Sequence, residues 1–186
     1  MNVECIEITG ERTGQYTCVV RPDGELDLAI QDMKISQKFS PIMLETKLMK
    51  TNPDGILLDF NLCESTLEFI ISKAEKFKPD IFIEPTSLFK IPERAYLLRY
   101  AECCFPNLEE LLTFHSCLAT SSSISAAGYD SISLEALEMK KDLQTAEMSI
   151  MKLCQDIFNT GCGPKYFIVT VAELGAFFGN YIIDCT

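Results

Sequence analysis

The chain has 186 residues, 47% of them hydrophobic and 23% charged, with a formal net charge of -11. That length suits one domain with a sizeable core, and that balance of residue types excludes wholesale disorder. The acidic balance argues against nucleic-acid and anionic-membrane partners, no apolar run approaches the ~20 residues of a membrane span, and residues 1–14 lack the basic-then-apolar layout of a secretory signal.

Tyr16–Val20 is rich in β-formers, Arg21–Glu25 has the Pro and Gly of a turn, and Leu26–Ile30 alternates apolar and polar side chains except at Ala29. This predicts a β-hairpin with one covered face. Ser40-Pro41 then starts a helix that runs to about Lys50 and stops at Asn52-Pro53-Asp54-Gly55. Gly55–Asp59 is a short apolar run ending in an acid, the pattern of a strand buried on both faces of a parallel sheet. Leu67, Ile70, Ile71, Ala74 and Phe77 form one stripe, which predicts a helix over 64–78.

Ile81–Ile83 is the next strand, ending at Glu84-Pro85. A short helix follows from Pro92 to about Arg99, then a strand from Ala101 to Phe105, and Asn107–Thr113 opens another helix. Residues 116–131 are Ser-rich without periodicity and predict a mobile surface loop. Ser133 to about Asn159 reads as one long helix, closed by Gly161–Pro164. Tyr166–Val171 is an apolar strand, and Ala176–Ile183 gives the last strand or hairpin. Alternation of this kind implies right-handed βαβ units in an α/β fold with a mainly parallel sheet. Ligands bind such sheets outside the carboxyl ends of the strands, which directs attention to Asp59, Glu84, the Pro106-Asn107 corner and Thr170.

Each of these corners has two readings. Asp59 and Asn61 can hydrogen-bond a polyol, or Asn61 can cap the next helix. Glu84, Thr86, Ser87 and Lys90 suit a hydroxylated ligand, or make a solvated turn. Asn107 and Glu110 fit a capping box, or place two oxygens where they support a hydrated Mg2+. Thr170 to Gly175 is a strand-to-turn junction whose small residues let a nucleotide approach the backbone, or a plain turn. No P-loop and no Gly-x-Gly-x-x-Gly fingerprint occurs, so Walker-type ATPases and dinucleotide-binding Rossmann domains lose ground. The nine cysteines include no Cys-x-x-Cys pair, and His115 is the only histidine. That argues against structural zinc. The cysteines read as reduced thiols of a cytoplasmic protein, with Cys103 and Cys104 in the core. His115 reads as a surface or capping residue.

Taken in order, TGQYTCVVRPDGELDLAIQDM, LLDFN, IFIEPTSLFK, CCFPNLEELLTF and FIVTVAELGAFFG resemble the PfkB (ribokinase-like) carbohydrate kinases. The strand ends Asp59-Phe60-Asn61 and Glu84-Pro85-Thr86-Ser87-Leu88-Phe89-Lys90 resemble the pseudouridine-kinase-like branch. The resemblance covers most of residues 12 to 180, outside the Ser-rich stretch. It implies a ribokinase-like sheet flanked by helices, with a lid hairpin over residues 1–35 and an α/β core over 36–186. It also implies transfer of the ATP γ-phosphate to a sugar or nucleoside hydroxyl with Mg2+. By that likeness Thr17, Asp59, Asn61, Glu84 and Lys90 lie on the substrate side. Asn107 and Glu110 support the metal through water and, with Thr170 and Gly175, the nucleotide. The middle Gly of the nucleotide turn is replaced by Ala172. The family's early Gly-rich sugar-binding region and its Gly-Ala-Gly-Asp segment, which carries the catalytic base, have no counterpart here, so a truncated product without a catalytic residue of its own is expected. The resemblance also allows a homodimer through the lid hairpin. The alternatives are a non-catalytic nucleotide- or sugar-binding module and, more distantly, an unrelated flavodoxin-like domain.

Overall fold

Where consecutive strands of a parallel sheet are also neighbours, right-handed crossovers carry all their connecting helices to one face. That rule organises the larger part of this chain. The structure, a computed structural model, describes residues 10, 12–22, 24, 26–119 and 126–180. By contact the chain divides into two units, Met1–Pro53 with Asn61–Lys78, and Asp54–Phe60 with Pro79–Thr186.

In the first unit, β1 (Gln15–Val20) and β2 (Leu26–Asp32) form the predicted antiparallel hairpin, with a register shift at Val19/Val20. Gly24, at φ +90°, donates its N–H to the Arg21 carbonyl at 2.9 Å and closes the turn. The pairs Thr17↔Ile30 and Val19↔Leu28 share one face. The sequence pattern predicted a covered face, but every residue of both strands is exposed. Two strands alone supply no second layer. A 3₁₀ turn (Lys34–Lys38), α1 (Pro41–Thr51) and α2 (Glu64–Phe77) complete the unit. Thr66, buried on α2, donates its hydroxyl to the Phe39 carbonyl at 2.6 Å, and Lys73 of α2 pairs with Glu45 of α1 at 3.1 Å. Lys78, at φ +53°, ends α2 in the left-handed conformation.

In the second unit, β3 (Gly55–Asp59), β4 (Asp80–Glu84), β5 (Cys103–Cys104), β6 (Tyr166–Thr170) and β7 (Ala176–Asn180) form one sheet in that order. The first four run parallel and β7 returns antiparallel along β6. The fold class is the α/β arrangement expected, with a mostly parallel sheet flanked by helices and a separate hairpin. Between β4 and β5 lie α3 (Ile91–Arg94) and 3₁₀ turns on either side of it. Between β5 and β6 lie α4 (Leu108–Leu118), α5 (Ala126–Met139) and α6 (Leu143–Asn159). Ile81, Ile83, Cys104, Phe167 and Val169 of the sheet are buried, as are Leu108, Leu111 and Phe114 of α4 and Ile150 and Ile157 of α6. Phe60 meets Phe114 edge-on at 6.3 Å, and neither ring is exposed. Cys103 and Cys104 are core residues, as their apolar context predicted.

Three element boundaries depart from the sequence reading. The stretch 116–131 is helical at both ends, because α4 continues to Leu118 and α5 begins at Ala126. The buried positions Ile132, Ala136 and Met139 give α5 an inner stripe that runs on beyond the Ser-rich stretch. The long helix expected over 133–159 is two helices. Asp142 breaks it by accepting the Thr145 N–H at 2.8 Å, which starts α6 afresh. The strand expected over 101–105 is laddered only at Cys103 and Cys104. Residues 181–183 of the last predicted strand lie outside the described residues.

Candidate functional site

Because β3 to β6 are parallel and in register, their carboxyl ends fall on one edge. Asp59 and Glu84 are register partners at the ends of β3 and β4. One strand spacing is about 4.8 Å, so the two carboxylates are neighbours. Beyond β5, Asn107 bridges to Thr170 at the end of β6, and the Thr170 N–H donates to the Pro106 carbonyl at 3.0 Å. Four of the predicted positions are thereby brought to one edge by backbone pairing alone.

The Asn107 corner is a reciprocal cap. Asn107 N–H donates to Glu110 Oε2 at 2.9 Å, and Glu110 N–H donates to Asn107 Oδ1 at 2.9 Å. The cap engages one oxygen of each side chain and leaves the second carboxylate oxygen uncommitted to it. Glu110 is only 4% exposed. Burial pushes its carboxyl up to about 7, against the cap's N–H donor and with help from Glu84 and Glu109. Burial also raises Glu84, with Asp59 adding to it and the Thr86 N–H opposing. Asp59, Glu84 and Glu110 thus form an acidic edge, where ionising both Glu84 and Glu110 is costly without a cation. Beneath it, burial holds the Cys104 thiol well above its ordinary range, so it remains protonated and unreactive.

Lys90 sits half-buried on the 3₁₀ turn Leu88–Lys90 that follows β4. Burial and the neighbouring Arg94 hold its amine below the ordinary value, while Asp59 draws it the other way. The approach to it is strained. Thr86 has φ +65°, and around it the Ser87 N–H donates to the Pro85 carbonyl at 2.7 Å. A β-branched residue there is a genuine outlier.

At the β6 end, Val171 N–H donates to the Gly175 carbonyl at 2.8 Å and closes a tight turn. Gly175 has φ +95°, a conformation that favours glycine. Ala172 adopts φ +43°, so alanine occupies a left-handed position where the resemblance expects the middle glycine. Thr17 and Asn61 belong to the other unit. Thr17 is exposed on β1, and the Asn61 carbonyl accepts the Ser36 hydroxyl at 3.3 Å.

Arg94 was missed by the sequence reading. It stands four residues after Lys90 in a helical stretch, and that spacing was the available signal. His115, read as a surface or capping residue, pairs its Nε2 with Asp156 Oδ2 at 3.1 Å and links α4 to α6. A cavity of about 360 Å³ opens at the opposite, amino edge of the sheet, near Asp80, Tyr100 and Lys165. None of the predicted site residues lines it.

No protein-family model matches the chain. The ribokinase of Giardia lamblia superposes on 93% of it with a TM-score of 0.61 at 14% identity. The fold is ribokinase-like. A carbohydrate kinase from Agrobacterium tumefaciens covers 87% of the chain with a TM-score of 0.57 at 18% identity. In sequence, the chain is 26% identical over 108 residues to the uncharacterized sugar kinase YeiI of Escherichia coli. The chain spans 29% of that relative's length, and 49% and 42% of the two structures.

Proposed function

We propose that this chain carries the nucleotide- and metal-supporting edge of an ATP-dependent carbohydrate kinase, acting on a sugar or nucleoside hydroxyl in the manner of the pseudouridine-kinase-like branch. The observation that carries the reading is the Asn107–Glu110 corner. A nearly enclosed carboxyl, raised to about 7 beside a second raised carboxyl, is a place where a hydrated divalent cation restores ionisation. Magnesium takes few protein ligands and keeps its waters, so an Asn and a Glu suffice. The cation, held through water, would neutralise charge on the nucleotide phosphates.

Each residue then has one task. Glu110 and Asn107 hold the hydrated metal. Thr170 and the Val171–Gly175 turn bring backbone close to the nucleotide, with the Ala172 methyl narrowing that approach. Asp59, Glu84 and Lys90 hydrogen-bond the acceptor's hydroxyls. No residue of this chain is assigned as the base that takes the hydroxyl proton. The protein is read as cytoplasmic.

The hairpin supports a further part of this reading. Val19, Leu26, Leu28 and Ile30 are each more than half exposed, which suits a lid that pairs with the lid of a second copy. Light scattering on wild type and on Leu28→Asp tests it, since a dimer through this face becomes a monomer in the variant.

The second reading, a non-catalytic binding module, is favoured by Ala172, whose methyl stands at the left-handed position of the nucleotide turn. Calorimetry and a coupled ADP-release assay with pseudouridine and with ribose separate the two. Turnover supports the kinase. Binding without turnover supports the module, and neither binding nor turnover rejects both.

A further inference from the structure

We propose that Lys90 and Arg94 form an oxyanion subsite beside the acidic strand ends, shaped to take a phosphate group from a phosphorylated acceptor or from the nucleotide. The inference rests on the kinase reading and adds a ligand class to it.

The first support is an orphaned donor. Arg94 Nη1 is enclosed and has no hydrogen-bond partner among the described residues. A guanidinium N–H taken from water without a replacement acceptor is unfavourable, and such groups are rare. The second is the pairing of cations. Lys90 and Arg94 lie four residues apart in the helical stretch that follows β4, close enough that Arg94 disfavours the charged form of Lys90. Asp59 draws Lys90 the other way. An anion between the two would supply the missing acceptor and relieve the repulsion together.

The third support is the strained approach. The turn centred on Thr86, at φ +65°, redirects the chain from Glu84 into the 3₁₀ turn that ends with Lys90. Strain of this kind persists where it aims groups for a purpose. Arginine's planar fork matches the geometry of a phosphate, and lysine adds a point charge. Lys90 feels the charge of Asp59, so the ligand would present a hydroxyl to that carboxylate and its phosphate to the cations.

The test is calorimetry of the full chain with inorganic phosphate, ribose 5-phosphate, ribose and ATP·Mg2+. Wild type is compared with Arg94→Gln, Arg94→Lys and Lys90→Met. Phosphate-bearing probes are expected to bind wild type and to weaken about tenfold or more in Arg94→Gln, with Arg94→Lys intermediate. Loss for ribose 5-phosphate alone assigns the subsite to the acceptor, and loss for ATP assigns it to the nucleotide. If Arg94→Gln does not fold, Lys90→Met carries the same comparison. Equal binding of all phosphate probes to wild type and variants, or no binding of any of them to wild type, overturns the proposal. ATP·Mg2+ binding that is lost in Glu110→Gln, with every phosphate-bearing probe untouched in both cation variants, keeps the kinase reading and sinks this one.

Discussion

Asp59 and Glu84 face each other as register partners at the carboxyl ends of two parallel strands, and the charge of Asp59 adds to the burial that raises Glu84. Glu110 joins them from the start of α4, where Glu84 in turn raises it. The two raised carboxyls, Glu84 and Glu110, make the edge sensitive to pH and to cations.

Glu110 sets the pH dependence. Its folded value lies above its ordinary one, at about 7 against 4.5. A raised carboxyl contributes stability that is full below the ordinary value and is lost as pH rises through the folded value. The thermal midpoint should therefore fall between pH 4.5 and about 7, by an amount corresponding to up to roughly 3 kcal/mol. Glu110→Gln keeps the capping geometry and should flatten that part of the profile. Melting curves across the pH range check it.

Asn107 is a helix cap whatever else it binds. Asn107→Ala should cost about 1 kcal/mol of stability, because the Glu110 N–H loses its acceptor. Denaturant titration measures it. Asn107→Asp should retain that stability and differ only in cation binding.

Ala172 tests the nucleotide turn. Alanine in the left-handed region costs about 1–2 kcal/mol, offset by the greater unfolded-state freedom of glycine. Ala172→Gly, at φ +43°, should therefore leave stability unchanged or raise it by up to about 1 kcal/mol. It should also strengthen ATP binding by removing the methyl from the phosphate side. Weaker ATP binding in the variant would count against the nucleotide role of this turn.

The core is tested at a fully buried ring pair. Phe60 is fully buried against Phe114, so Phe60→Ala should cost about 3–5 kcal/mol. At Gly163 an added methyl would sit 3.0 Å from Phe158 Cδ1 and 3.2 Å from Ile157 Cγ2. Gly163→Ala should cost about 1–3 kcal/mol through overpacking. Both are read by thermal and denaturant unfolding.

Much of this was legible in the sequence for identifiable reasons. GILLD and IFIE are short apolar runs closed by acids, and both form parallel strands with the acid at the carboxyl end. The double burial expected of GILLD fails, because β3 is the edge strand of the sheet and Leu57 is 71% exposed. Asn107 and Glu110 carry capping-box spacing, and the structure forms that box. What the sequence hid depends on tertiary packing. The helix α5 is held by Ile132, Ala136 and Met139 in a region that begins Ser-rich, and Asp142 divides what periodicity joined. The strained φ at Thr86 and the enclosed Nη1 of Arg94 have no one-dimensional signature, because backbone strain and burial arise only from the folded surroundings.

The most direct test of the central claim is a calorimetric titration of ATP, with and without Mg2+, into wild type and Glu110→Gln. The account predicts that Mg2+ strengthens ATP binding to wild type by about tenfold or more and has little effect on the variant, whose fold and thermal midpoint at low pH are unchanged. ATP affinity that is indifferent to both Mg2+ and Glu110, or absent in wild type, would contradict it.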